Sequence, residues 1–370
     1  MVHFPKPHFR RPLFNKRRTI IVTLAMLALA GALVVFLITR PLPVLTVATW
    51  PGAYGRAQAT AMLRPYAAEN RVDVRLALWD GELKQLSNGD VLDFELPRAV
   101  EACRAGLLET LGTSDLPAGA DGTPAARDFV PGALGPCWVG SAVYSQAIAF
   151  APDAFAGKTP ASLRDFFDGA AFPGPRGLRD SAKYNLEMAL LADGVKPDAV
   201  YRTLGTNTGV ARALRKLASL GPVVWWNAAG QPANLLASGV VKLSTILNGD
   251  IFDAAQKRQA PGMIWDRQLY ELDVFAIPKG NAKRVQGIDF IRYATGSAPL
   301  AAMAGWVPYG PARRSSLAQV GKNPELGMDM HGFLPTDPAN FRNAFAVDDG
   351  WWLDNAARIA PLWKAWRTTH

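Results

Sequence analysis

Beyond residue 44 the apolar positions of the chain fall into two alternating rhythms. Leu45-Thr-Val-Ala-Thr-Trp50 and residues 72–79 are dense in β-branched and aromatic residues, as buried strands are. Between them, residues 56–70 carry apolar side chains at helical spacing, with Pro65 as an interruption. Asp90-Val-Leu-Asp-Phe-Glu95 predicts the next strand, and Pro97 stands where the first turn of a helix over 97–106 tolerates proline. After a Gly, Pro, Ser and Asp-rich loop over 112–136, the rhythm resumes with a strand over 141–150 and an amphipathic helix over 161–167. A strand at 177–180, a helix at 183–191, a strand at 240–246 and an Ala-rich helix behind Asn248-Gly249-Asp250 complete it. Strands separated by helices predict an α/β fold with a parallel sheet covered on both faces. The length suits two lobes, with the chain crossing between them near 144–150 and again near 272–277.

A different pattern precedes this region. Residues 19–39 form twenty-one positions without a charge, behind a head that carries six Lys/Arg and no acid. As a helix they reach about 31 Å, roughly the thickness of a bilayer's hydrocarbon core. The basic head predicts a cytoplasmic N-terminus and export of the rest. Cleavage after Ala28-Leu29-Ala30 would leave an apolar stub, so a retained transmembrane signal anchor is the preferred reading over a signal peptide. The expected organisation is a cytoplasmic head over 1–18, an anchor over 19–39, a first lobe over 45–145, a second over 146–271, and a return to the first with C-terminal helices over 272–370.

Export changes the meaning of the composition. Seven of the formal net charge of +9 lie in the first forty residues, which leaves +2 for the exported part and no electrostatic case for nucleic acid. Cys103 and Cys137 both fall outside the cytoplasm, where oxidising conditions favour a disulfide between them.

Histidine is nearly missing from the exported part, which has only His331 and His370, so a His-based triad or a multi-histidine metal site lacks its components. The eight tyrosines are scattered without an adjacent pair, which argues against ferric iron as a ligand. No cofactor is expected. A cell-envelope hydrolase working through two facing carboxylates is the alternative from another class.

The motifs resemble a known family. Ala102-Cys-Arg-Ala-Gly-Leu-Leu108, Leu163-Arg-Asp-Phe-Phe167, Leu186-Glu-Met-Ala-Leu-Leu-Ala-Asp-Gly194 and Val224-Trp-Trp-Asn227 are joined by Gln231-Pro-Ala-Asn-Leu-Leu-Ala-Ser-Gly239 and Leu247-Asn-Gly-Asp250. Ile264-Trp-Asp266, Tyr270-Glu-Leu-Asp-Val-Phe-Ala-Ile-Pro-Lys-Gly280 and Trp306-Val-Pro-Tyr-Gly310 follow in order. Together they resemble the extracellular solute-binding proteins of ABC importers in the spermidine/putrescine group. The resemblance implies a two-lobe periplasmic-binding-protein fold of type II. It also implies a monomeric receptor, not an enzyme, that closes on a small amine-bearing solute and delivers it to a permease in the inner membrane.

Ligands of open parallel sheets gather beyond the carboxyl ends of the strands. That rule selects Trp50 and Glu95 on the first lobe, Asp180, Tyr184, Asn248 and Asp250 on the second, and Asp273 in the return crossover, where the resemblance implies an amine-binding acid. Trp226, Tyr184 and Tyr309 are candidate aromatic walls for an ammonium group, with Trp352 added from the C-terminal segment. One departure weakens the polyamine expectation. Where the resembled binders carry carboxylates at the start of the second-lobe helix, this chain has Arg179-Asp-Ser-Ala-Lys-Tyr184. Arg179 and Lys183 favour a carboxylate or phosphonate there, so a zwitterionic amino compound, an amino-phosphonate or an organic anion enters beside the polyamine.

Overall fold

A computed structural model describes residues 16–39 and 41–370, and residues 1–15 of the expected basic head lie outside the described residues. The chain divides into two compact units, residues 1–43 and 44–370.

Among the described residues of the first unit, the helix α1 (Lys16–Thr39) covers the uncharged run. The membrane-spanning helix expected over 19–39 is not found as such, because among the described residues no helix is long and apolar enough to cross a membrane. The described side chains of α1, residues 20–32, are all exposed.

The second unit is built on one ten-stranded sheet. Its strands are β1 (Val44–Thr49), β2 (Asp73–Leu78), β3 (Val91–Glu95), β4 (Val139–Phe150), β5 (Arg176–Arg179), β6 (Val223–Trp226), β7 (Leu243–Leu247), β8 (Gly262–Ala276), β9 (Gly310–Pro311) and β10 (Phe345–Ala346). The principal order is β2-β1-β3-β8-β4-β7-β5-β6. β1, β2 and β3 run parallel at one end, and β5, β6 and β7 run parallel at the other. The all-parallel expectation needs one correction, since β8 is antiparallel to β3 and β4, and β4 is antiparallel to β7. The two long central strands carry the chain between the ends in opposite directions, which a βαβ repeat alone does not reveal.

Pro65 does not break its helix. Residues 52–70 continue through a π-helical turn (Ala59–Leu63), and the wider turn spares the hydrogen bond that the proline cannot donate. This segment packs Met62 and Leu63 into a core shared with Leu45, Val47, Phe94, Val274, Phe275 and Phe290. A second core joins Phe166, Leu178, Leu186, Met188, Leu243 and Leu269, and takes Trp352 and Ile359 from the C-terminal helix (Asp349–Arg367). Separate cores flanking two continuous strands are the build of a two-lobe molecule.

Cys103, in the helix Leu96–Arg104, is disulfide-bonded to Cys137 just before β4, across a sequence separation of 34. Closing such a loop stabilises by roughly 3–4 kcal/mol in the chain-entropy model. Urea unfolding with and without reductant measures this directly. The oxidised protein is expected to unfold at the higher midpoint by that amount, and coincident midpoints would show that the bridge contributes nothing.

Candidate functional site

Adjacent strands β3 and β8 pair with Glu95 opposite Asp273 and Asp93 opposite Phe275. Side chains alternate along a strand, and directly opposed residues share a face, so Asp93, Glu95, Asp273 and Glu271 all stand on one face of the sheet. Tyr144 joins them, being opposite Glu271 on β4. This acidic stripe opens into a cavity of about 980 Å³.

The cavity draws Trp50, Glu95, Asp180, Tyr184, Asn248, Asp250, Asp273 and Tyr309 to one place. Trp226 and Trp352 are not in its wall. Trp226 is buried beneath it, with the Arg179 guanidinium 5.9 Å over its ring. Trp352 lies in the second core, where its indole N–H donates to Glu187. The cavity also takes in Tyr54, Tyr144 and Glu271, which sequence reasoning passed over. The alternation of Glu271 with Asp273 was the available signal for one of them, and the position of Tyr54 one helical turn after Trp50 for another.

On the β1 side, the Trp50 ring lies against Gly81, where an added Cβ would come within 2.7 Å of it. Gly81 has a φ of +79°, so glycine is needed there for both backbone and space. Tyr54 meets Tyr309 edge to face at 5.0 Å and extends the aromatic wall.

The acids of this wall differ in how they are balanced. Asp93 is fully buried and accepts from Gln58 Nε2 at 2.6 Å and from Thr49 Oγ1 at 3.2 Å. Burial nonetheless pushes its pKa up, with those hydrogen bonds pulling it back. Asp273 is held well above the usual carboxylate range by burial first, and then by Asp93 and Glu95. Glu95 is exposed along the cavity yet enclosed enough that burial raises it, while Lys183 and Arg179 draw it down. Neither Glu95 nor Asp273 forms an ion pair among the described residues.

The opposite wall is the segment between β5 and the helix Ala182–Ala192. Asn185 fixes it by donating to the carbonyls of Arg179 at 2.6 Å and Ser181 at 2.7 Å. Within that helix Lys183 and Tyr184 leave helical geometry, and Tyr184 adopts φ +73° and ψ −48°. For a residue with a side chain this region costs on the order of 1–3 kcal/mol and is typical of binding sites. The result places the Tyr184 ring between Arg179, 5.2 Å from its centroid, and Lys183, at 5.4 Å. Arg179 has two aromatic contacts, with Tyr184 and Trp226, and acts at longer range on Glu95 and Asp250. Its guanidinium forms no ion pair or hydrogen bond among the described residues.

Other candidates turn out to be engaged within the protein. Asp180 receives both Nε and Nη2 of Arg367, at 3.1 and 3.2 Å. The amide of Asn248 accepts from Ser145 N and donates to the Pro308 carbonyl, which ties the helix Asn248–Gln256 to β4. Asp250 sits in the first turn of that helix, whose cap is Leu247. Burial raises its pKa, and one carboxylate oxygen has no partner.

The chain matches the family model described as bacterial extracellular solute-binding protein over residues 78–329. It is 34% identical over 331 residues to a protein of Pseudomonas aeruginosa named gamma-aminobutyric acid-binding protein, spanning 87% of this chain and 90% of the relative. An ABC transporter substrate-binding protein from Bradyrhizobium japonicum superposes with a TM-score of 0.71 at 25% identity, over 88% of this chain and 99% of that one. The Atu4243 GABA receptor superposes with a TM-score of 0.69 at 26% identity, over 88% and 98%. The chain therefore belongs to the bacterial extracellular solute-binding proteins and is the substrate-binding component of an ABC importer, with the two-lobe fold of that family and no catalytic role.

Trp352 brings one stability test with it. Burial lifts its partner Glu187 from 4.5 to about 7, although the Trp352 and Tyr201 hydrogen bonds oppose the shift. The folded state thus keeps a proton that the unfolded chain releases. Stability from this group is full below about pH 4.5 and falls as the pH rises to about 7. Glu187→Gln is expected to gain about 1–3 kcal/mol over the parent at pH 8 and little at pH 4.5. Paired urea titrations at the two pH values check it, and equal differences at both would refute the assignment.

Proposed function

We propose that the cavity binds an ω-amino acid of the GABA type, with its ammonium against Glu95 and Asp273 and its carboxylate against Arg179. The observation that carries this reading is that two unpaired acids, Glu95 and Asp273, line one wall, while the unpaired Arg179 guanidinium stands on the other, near Asp250. A diamine would set an ammonium against Arg179, and a simple organic anion would leave Glu95 and Asp273 without a partner. A zwitterion satisfies both walls at once. The names of the Pseudomonas relative and of the Atu4243 receptor support the same choice over the polyamine.

In this reading the lobes are residues 45–145 with 272–370, and residues 146–271. They close on the solute along β4 and β8, and the closed form delivers it to an inner-membrane permease from the periplasmic side. The uncharged run behind the basic head supports a tether through residues 19–39, against which stands the finding that among the described residues no helix is long and apolar enough to cross a membrane. The mass of the mature protein decides it: the full chain is expected, and a species lacking the first thirty or so residues would end the tether.

Calorimetry of the purified protein tests the ligand. GABA is expected to give saturable heat, while putrescine and a monocarboxylate such as butyrate give none. Arg179→Ala and Asp273→Asn should each weaken GABA by about 30-fold or more, as loss of one partner of a buried charge pair does. Heat from putrescine with none from GABA would reject the reading.

A further inference from the structure

The cavity already contains a cation of its own. Lys183 Nζ donates to Oε1 of Glu271 and, at 2.7 Å, to Oδ1 of Asp349 at the start of the C-terminal helix. Both acceptor side chains are 1% exposed, and that of Lys183 is 21% exposed. The Tyr184 hydroxyl donates to the other oxygen of Glu271. Burial alone would lower the Lys183 pKa, but Glu271 and Asp349 outweigh it and raise it, so the amine stays charged. Lys183 and Glu271 line the same cavity as Glu95 and Asp273. β8 thus offers two acidic stations two residues apart on one face, Asp273 with Glu95 and Glu271 with Asp349.

We propose that Lys183 is the specificity-determining residue that excludes diamines, because its ammonium permanently fills the second cation station and leaves only the first for a solute. The proposal rests on the ω-amino acid reading of the site. Discrimination works here by occupation. An incoming amine can use Glu271 and Asp349 only by expelling Lys183, which would then stand unpaired in a half-enclosed cavity beside Arg179. Truncating Lys183 to alanine removes the resident ammonium and its methylene stem together. What remains is a slot shaped for an alkylammonium, ending on two buried carboxylates with no countercharge.

The test uses the full chain, as wild type and as Lys183→Ala. Calorimetry against GABA and against α,ω-diamines of three to six carbons is paired with thermal unfolding in ethylammonium chloride and in sodium chloride at equal ionic strength. Wild type is expected to prefer GABA over every diamine by about 100-fold or more, and in Lys183→Ala that preference should fall by about tenfold or more for the best-fitting diamine. Only the variant should be stabilised by ethylammonium over sodium. An unchanged preference overturns the proposal, as does a wild type that binds a diamine as tightly as GABA. So does a variant that is indifferent to ethylammonium or remains unfolded in it, since its carboxylates then accept no external cation. Failure of wild type to bind GABA would instead count against the ω-amino acid reading, and the ethylammonium dependence would still decide the role of Lys183.

Discussion

Four carboxylates on one face of two hydrogen-bonded strands are the constraint around which this molecule is arranged. Asp93, Glu95, Asp273 and Glu271 follow from the pairing of β3 with β8 and from the two-residue period of strands. Charges so placed repel one another, and three of the four are buried. Each is handled differently. Asp93 has its charged form stabilised by hydrogen bonds from Gln58 and Thr49, while burial raises its pKa and favours the neutral form. Glu271 is given a permanent cation in Lys183. Asp273 and Glu95 line the cavity without an ion pair among the described residues, and in the proposed reading the solute's ammonium completes the set.

The stripe also places the proposed site on the long crossing strands. β8 carries Asp273 and Glu271 where it passes β3 and β4, and the same strand continues into the second half of the sheet. Any bending along β4 and β8 moves Arg179 and Tyr184 relative to the acids, because those two residues belong to the β5 end. A solute with opposite charges at its ends gains both contacts only when the walls approach. In the proposed reading, closure is coupled to ligand chemistry through differential contact, as a population shift between open and closed states requires. The backbone of Tyr184, held in a costly conformation between two cations, is the local expense of setting the second wall at the cleft.

Much of this was legible in the sequence, for reasons that can be named. Strand and helix alternate with clear periods, and a carboxylate inside an apolar strand run, as at Glu95 and Asp273, already signals a partner. The antiparallel crossing of β4 and β8 was not legible, because the rhythm of apolar residues carries no strand direction. The pairing of Asp180 with Arg367 joins positions 187 apart in sequence, and nothing local announces it. Trp352 and Trp226 show the limit of aromatic residues as site markers, since a large ring serves a core as readily as a cavity. Arg179 and Lys183 read from sequence as one basic pair for an anion. The fold divides them, using one as an internal counter-ion and leaving the other free.

In the proposed reading, the crowding of acids also bears on how strongly the site holds an ammonium group. Burial first, and then Asp93 and Glu95, push the pKa of Asp273 well up and so favour its protonated form. A proton on that carboxyl competes with the ammonium, so the net gain is smaller than that of a carboxylate already ionised. The direction is fixed by the sign of the shift. Raising the pH removes the competing proton and strengthens the hold on the ammonium, until the solute's own amine begins to lose its charge near pH 10. A raised pKa at the ligand's acid therefore keeps the empty cleft tolerable to the fold, and the cost of that tolerance appears as reduced affinity at acid pH.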